Sequence, residues 1–122
     1  MASTAIVPTD ITFFERLIPS ILAGIKVITI RDEAESHYKP NTIVDLLSNE
    51  HGTYYGKLQI ISVSPLNFNE INEFHAQQEG MSLPALKALI KDIYPTTENL
   101  YLIELKRALL HISEPMRRSP FL

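Results

Sequence analysis

The sequence has no cysteine, no tryptophan and only four glycines in 122 residues. Without cysteine there is no disulfide scaffold, no thiolate zinc site and no cysteine nucleophile, a usage that suits a reducing cytosol. The four histidines, His37, His51, His75 and His111, are too scattered for a metal-ligand spacing such as HExxH, so neither a metal nor another cofactor is expected. No uninterrupted apolar run approaches the roughly 20 residues that span a bilayer, and the opening MASTAIVPTD lacks the basic and long apolar regions of a signal peptide. A soluble cytoplasmic protein with no membrane partner is expected. A formal charge of -3 argues against wholesale coating of nucleic acid, because that affinity comes mainly from basic side chains releasing phosphate counterions. A small ligand, or a short local contact with RNA, is compatible with it.

With 45% hydrophobic and 20% charged residues and no low-complexity tract, the chain reads as one globular domain that buries about two-thirds of its unfolded surface. Thr12 and Glu15 have capping-box spacing, and Phe14, Leu17, Ile18, Ile21 and Leu22 follow the periodicity of a buried helical face. Pro19 predicts a kink or two short helical pieces ending at Gly24. KVITIR and TIVDLLS read as strands. TYYGKLQIISVSPL reads as a long third strand, bulged near Gly56 and ended by Pro65. Asn69 is a candidate cap for a helix closed by Gly80, Ser82 for one that buries Leu83, Leu86, Leu89, Ile90 and Ile93, and LYLIEL is a last buried strand. The sum is an α+β fold, a curled sheet or small β-barrel covered by two or three helices. The domain is placed at residues 10–107. Residues 1–9 form an N-terminal extension, and residues 108–122, with Pro115, Pro120 and Arg117-Arg118, fit an unstructured C-terminal one.

Chemistry concentrates in GIKVITIRD, residues 24–32. On a strand Thr29 and Arg31 face one side, while Ile28 and Ile30 face the other, toward the core. Lys26 has the wrong parity and meets Thr29 only if the chain is still turning out of Gly24 as it passes. Should they converge, a hydroxyl beside an amine has the makings of an activated nucleophile, provided that burial or the charge of Arg31 lowers the lysine pKa. Glu79 lies four positions after His75 on the inward side of its helix and needs a partner: it is a proton donor, or it pairs with Lys26 and holds a proton on the amine. The same spacings fit a plainer arrangement of solvated or ion-paired side chains, and spacing alone does not separate the two. The charged cluster RDEAESH reads as a solvated loop, His75 as a satisfied half-buried histidine, and Tyr54 with Tyr55 as strand packing rather than a stacking platform.

The pattern GxKxxTxR over Gly24 to Arg31, followed by HAQQEGMSL, DIYP and LYLIELK, resembles the ASCH family (the activating-signal-cointegrator homology domain), and within it the small YqfB-like amidohydrolases. The resemblance covers residues 10–107. It implies a barrel like that of the PUA domains with a cleft for a nucleobase or nucleotide, and an activity, the hydrolysis of N(4)-acetylcytidine to cytidine and acetate. Carried over by position, Lys26 is the proton acceptor, Thr29 the nucleophile, Glu79 the proton donor, and Arg31 binds substrate or offsets charge. The expected partner is a nucleoside, with RNA not the main one. An RNA-binding or RNA-processing module is the alternative such barrels imply. Many family members carry threonine where this chain has Val27.

Overall fold

The computed structural model describes residues 6–108. The chain runs through β1 (Asp10–Phe13), a 3-10 turn (Glu15–Leu17), α1 (Ile18–Leu22), β2 (Ile28–Arg31), a 3-10 turn (Glu33–Glu35), β3 (Ile43–Ser48), β4 (Tyr54–Asn67), a 3-10 turn (Phe68–Glu70), α2 (Glu73–Glu79), α3 (Leu83–Ile93) and β5 (Asn99–Arg107). The strands make one sheet in the order β1-β3-β4-β5-β2, parallel between β1 and β3 and antiparallel elsewhere. The α+β class holds, but the barrel does not close: β1 and β2 are sheet edges, with no ladder between them among the described residues. The edges still meet through a side chain, because the Arg31 Nη2 of β2 donates to the Thr12 carbonyl of β1 at 2.7 Å.

Cross-strand pairing assigns the faces. Thr29 lies opposite Ile103, whose neighbours Leu105, Ile60, Leu46 and Phe13 fill the inside of the curl, with Ile18 and Ile21 of α1 in the same cluster. Ile30 lies opposite Leu102 on the other face, where Leu66, Ile71, Leu86, Ile90 and Leu100 form a second core beneath α2 and α3. The expected parity is therefore present, but both faces of β2 are covered, and Thr29 and Arg31 point into the curl rather than away from the core. A bulge at Ile61 keeps Leu58 and Ile60 on the inner face with Val63, and a second at Tyr55, beside Gly56, is the predicted one.

Three local expectations are corrected. Thr12 is in β1, not at a helix N-cap, because β3 offers it a parallel ladder; helical structure starts only at Glu15, and Phe14 is left exposed. Pro65 does not end β4. By that point β3 has stopped pairing with β4, so the amide that proline lacks faces no partner strand and β4 continues to Asn67. Asn69 caps nothing: Asn67 caps the 3-10 turn, and Asn72 caps α2. Ser82 and Gly80 do serve as expected, with Gly80 left-handed at φ 70°. The expected tail at 109–122 and residues 1–5 lie outside the described residues.

The chain enters β2 through a turn at Gly24. The Gly24 N–H donates to the Ile21 carbonyl and the Ile25 N–H to the Ser20 carbonyl, the paired bonds that close a helix when the residue after its C-cap is left-handed. Gly24 is at φ 77°, and a Cβ there would touch nothing within 4 Å, so only backbone conformation opposes a side chain. Gly24→Ala should cost about 1–2 kcal/mol, seen as a lower urea midpoint at unchanged slope, while Gly24→Asn, which tolerates this region, loses less. Equal midpoints for wild type and Gly24→Ala would show that the turn is not left-handed in solution.

Candidate active site

Lys26 follows that turn directly. Its N–H still donates to the Ser20 carbonyl at 3.1 Å, so the residue is not yet in β2, which begins at Ile28. Val27 is fixed on both sides: its N–H donates to Gln78 Oε1 at 2.7 Å and its carbonyl accepts from Leu105. Gln78 Nε2 also donates to the Ile25 carbonyl, so one amide of α2 clamps the main chain around Lys26. The strand parity that excluded Lys26 does not apply, and its side chain turns inward.

There the amine is almost wholly buried, at 1% side-chain exposure, with Glu79 at 13%. Nζ donates to Glu79 Oε2 at 2.6 Å and to the Ile28 carbonyl at 2.7 Å, and lies 5.7 Å from the centre of the Phe13 ring. Burial pushes the Lys26 pKa below its ordinary value; Glu79 acts against this, while the charges of Arg31 and Arg16 add to it. Of the two sequence-based possibilities for Glu79, the pairing is the one seen. The tendency of Glu79 to hold the proton on is outweighed by loss of solvent.

Thr29, 4% exposed, accepts a hydrogen bond at its Oγ1 from Arg31 Nε at 2.9 Å. The guanidinium is used on every side: Nε on Thr29, Nη2 on the Thr12 carbonyl, Nη1 3.8 Å from Glu35 Oε1, and its plane 4.9 Å from the centre of the Phe13 ring. Lys26, Thr29, Arg31 and Glu79 line one cleft of about 240 Å³. Among the described residues no hydrogen bond joins Lys26 directly to Thr29. Apolar walls come from Leu89 and Ile93 of α3, and Ile93, expected to be buried, is 49% exposed at this cleft.

Of the remaining candidates, His75 is structural: its Nδ1 accepts the Asn72 N–H at 2.9 Å as part of the α2 cap, and burial lowers its pKa. Tyr54 and Tyr55 are exposed rather than packed, and the Tyr55 hydroxyl donates to Glu15. Glu35, from the cluster read as a solvated loop, lines the cleft and accepts from the Tyr94 hydroxyl at 3.0 Å. Sequence reasoning missed Gln78 as a clamp, Phe13 as the aromatic floor and the contact of Tyr94, which entered only as part of the DIYP stretch. Only the position of Gln78, one residue before Glu79 on the same short helix, signalled its proximity. Among the described residues no group of histidines or carboxylates has metal-binding geometry.

The family model described as the ASCH domain matches residues 7–109. A Vibrio parahaemolyticus protein named N(4)-acetylcytidine amidohydrolase is 57% identical over 97 residues, 80% of this chain and 91% of the relative. A protein of the same name from Vibrio vulnificus strain YJ016 is 51% identical over 100 residues, covering 82% and 96%. Among solved structures, the ASCH domain from Lactobacillus crispatus superposes with a TM-score of 0.63 at 19% identity, covering 75% of this chain and 70% of that one. A protein from Enterococcus faecalis gives 0.59 at 15% identity, covering 86% and 82%. At these identities the two structures speak for the fold.

The lowered lysine pKa fixes a sign. Between the folded-state pKa and the ordinary 10.5, the unfolded chain binds more protons than the folded one, so stability should rise with pH through that window and level off above it. Urea midpoints across this range should show the rise in wild type and not in Lys26→Met. In Glu79→Gln, which removes the charge favouring the ammonium, the Nζ resonance should titrate lower than in wild type; an unchanged or higher value would show that Glu79 does not hold the proton on the amine.

Proposed function

The chain belongs to the ASCH domain family, and from that premise we propose that it is an amidohydrolase acting on a small nucleoside, cleaving the acetyl amide of N(4)-acetylcytidine to cytidine and acetate. One observation carries the reading: a buried amine and carboxylate 2.6 Å apart share a cleft with the Thr29 hydroxyl. Relatives more than half identical are named for this reaction.

The chemistry needs Lys26 as a neutral amine and a proton on the Glu79 carboxyl. With the proton on Glu79, Lys26 is a neutral amine with two N–H donors, which suits its contacts to the Ile28 carbonyl and Glu79 and frees its lone pair. Burial of the amine favours its neutral form. Lys26 then takes the hydroxyl proton of Thr29, whose oxygen attacks the acetyl carbonyl carbon. Arg31 Nε, already donating to that oxygen, offsets its negative charge while it forms. As the carbon–nitrogen bond breaks, Glu79 gives its proton to the departing N4 of cytosine. This leaves acetyl-Thr29, an ammonium at Lys26 and a carboxylate at Glu79. Water attacks the ester, one of its protons passing to Glu79, while Lys26 returns a proton to the Thr29 oxygen as acetic acid leaves, to ionise in solution. Every group ends where it began, so one turnover consumes only water.

Release of cytidine from N(4)-acetylcytidine tests the assignment. Thr29→Ala and Lys26→Ala should each lower kcat on the order of a thousandfold with the folded structure retained, while Thr29→Ser, keeping a hydroxyl at the same place, remains active. Acetylated Thr29 should be trapped by mass spectrometry after rapid acid quench. Unchanged rates in Thr29→Ala would overturn the nucleophile, and unchanged rates in Lys26→Ala the base.

A further inference from the structure

Beyond the four residues placed in the chemistry, the cleft contains a connected series of side chains leading to the nucleophile from outside. The Tyr94 hydroxyl, at the end of α3, donates to Glu35 Oε1 at 3.0 Å. Glu35 Oε1 also lies 3.8 Å from Arg31 Nη1. Arg31 in turn donates through Nε to Thr29 Oγ1 at 2.9 Å. The second acceptor of the guanidinium, the Thr12 carbonyl, lies on the opposite edge of the sheet.

Geometry gives each link a task. Glu35 lies on the 3-10 turn after β2, four residues past Arg31, and its side chain is half exposed, so an unassisted carboxylate there would sample several rotamers. The Tyr94 hydroxyl supplies a fixed donor that selects one of them. Burial, aided by Glu35, pushes the Tyr94 pKa up to about 12, so the phenol keeps its proton, and the link persists, throughout the range in which an enzyme works. The oriented carboxylate faces Nη1 as an ion-pair partner at 3.8 Å, the Thr12 carbonyl accepts from Nη2, and a planar guanidinium held this way has its third nitrogen, Nε, aimed at one point. That point is the Thr29 oxygen. Since Nε donates to a lone pair, the Thr29 hydrogen is left to rotate away from Arg31, which is the arrangement a base on the other side requires.

We propose that Glu35 and Tyr94 are positioning residues for the reaction, acting through Arg31 to fix the Thr29 hydroxyl in its attacking orientation. This rests on the reading of Thr29 as nucleophile, and neither residue needs to touch the substrate. Loss of either lowers kcat and leaves KM nearly unchanged, because the orientation of the attacking oxygen is at stake rather than ground-state binding. Because Tyr94 acts only through Glu35, removing both does no more harm than removing Glu35.

The test measures kcat and KM for Glu35→Ala, Glu35→Gln, Tyr94→Phe and the double variant Glu35→Ala/Tyr94→Phe, alongside the exchange of the Arg31 Nε hydrogen by NMR. Expected are a drop in kcat of about tenfold for Glu35→Ala, a smaller one for Tyr94→Phe, KM within about twofold of wild type, and a double variant equal to Glu35→Ala. Glu35→Gln, which keeps an acceptor for the phenol, should recover part of the loss. The Arg31 Nε hydrogen, protected in wild type, should exchange faster in Glu35→Ala. Additive losses, or a change confined to KM, would overturn the positioning role in favour of substrate contact. The NMR arm needs no substrate: if the wild type proves inactive on N(4)-acetylcytidine, an unchanged Nε exchange rate in Glu35→Ala still refutes the series of contacts, and a faster one upholds it apart from the assigned reaction.

Discussion

A lysine amine removed from water and set 2.6 Å from a carboxylate is the interaction around which the rest is arranged. Such a pair is a weak source of stability, since desolvating two charges costs several kcal/mol per ion, about as much as their attraction returns. Leucine and methionine would fill the same volume at lower cost. Yet three separate devices bring Lys26 to its position: the left-handed Gly24 turn that aims it inward, the Gln78 amide that clamps the main chain on either side of it, and the Ile28 carbonyl that takes one of its hydrogens. An arrangement that costs stability and requires this much support is not accounted for by stability alone.

The open seam of the sheet bears on the same cleft, which Thr12, Thr29 and Arg31 line. If β1 and β2 had paired through their backbones, the inner face of β2 would be enclosed with the rest of the core, out of reach of substrate. Instead Arg31 spans the edges with one side chain, holding the curl at Thr12 while it serves Thr29. A guanidinium suits both uses, because its nitrogens point in fixed directions and it stays charged. Phe13 beneath it contributes a ring face that accepts a cation without competing for its hydrogens. Closure of the fold and access to the site are thus settled by one residue.

What could be read in the sequence was what depends on short spacing. Gly24 before a misplaced lysine implied a turn, Gly80 implied the end of α2, and the alternation of Thr29 and Arg31 implied a shared face; all three are local and appear in the structure. What could not be read depends on partners distant in the chain. Thr12 has good capping chemistry, but a parallel ladder to β3 outcompetes a single capping bond. Pro65 normally terminates strands, and only the end of β3 opposite it makes it harmless. The face of β2 that carries Thr29 and Arg31, read as lying away from the core, is internal because the sheet curls, and no periodicity within four residues encodes curvature. Gln78 and Tyr94 sit inside the HAQQEGMSL and DIYP stretches, but nothing in their spacing shows a task, since each matters through contacts to a segment more than 50 residues away.

The departure at Val27 from the threonine common in the family shows which part of this segment the site depends on. A hydroxyl there would offer one more side-chain hydrogen bond. In this chain the residue is engaged through its main chain, donating to Gln78 Oε1 and accepting from Leu105. Both bonds are indifferent to the side chain, and a β-branched residue favours the extended conformation they require. Lys26 is therefore aimed by backbone geometry before position 27 and anchored by backbone hydrogen bonds at it, so valine is accommodated without loosening either. The same logic explains why the site survives on a strand of only four residues: β2 is held not by its length but by β5 on one edge, Arg31 on the other and the α2 clamp at its start.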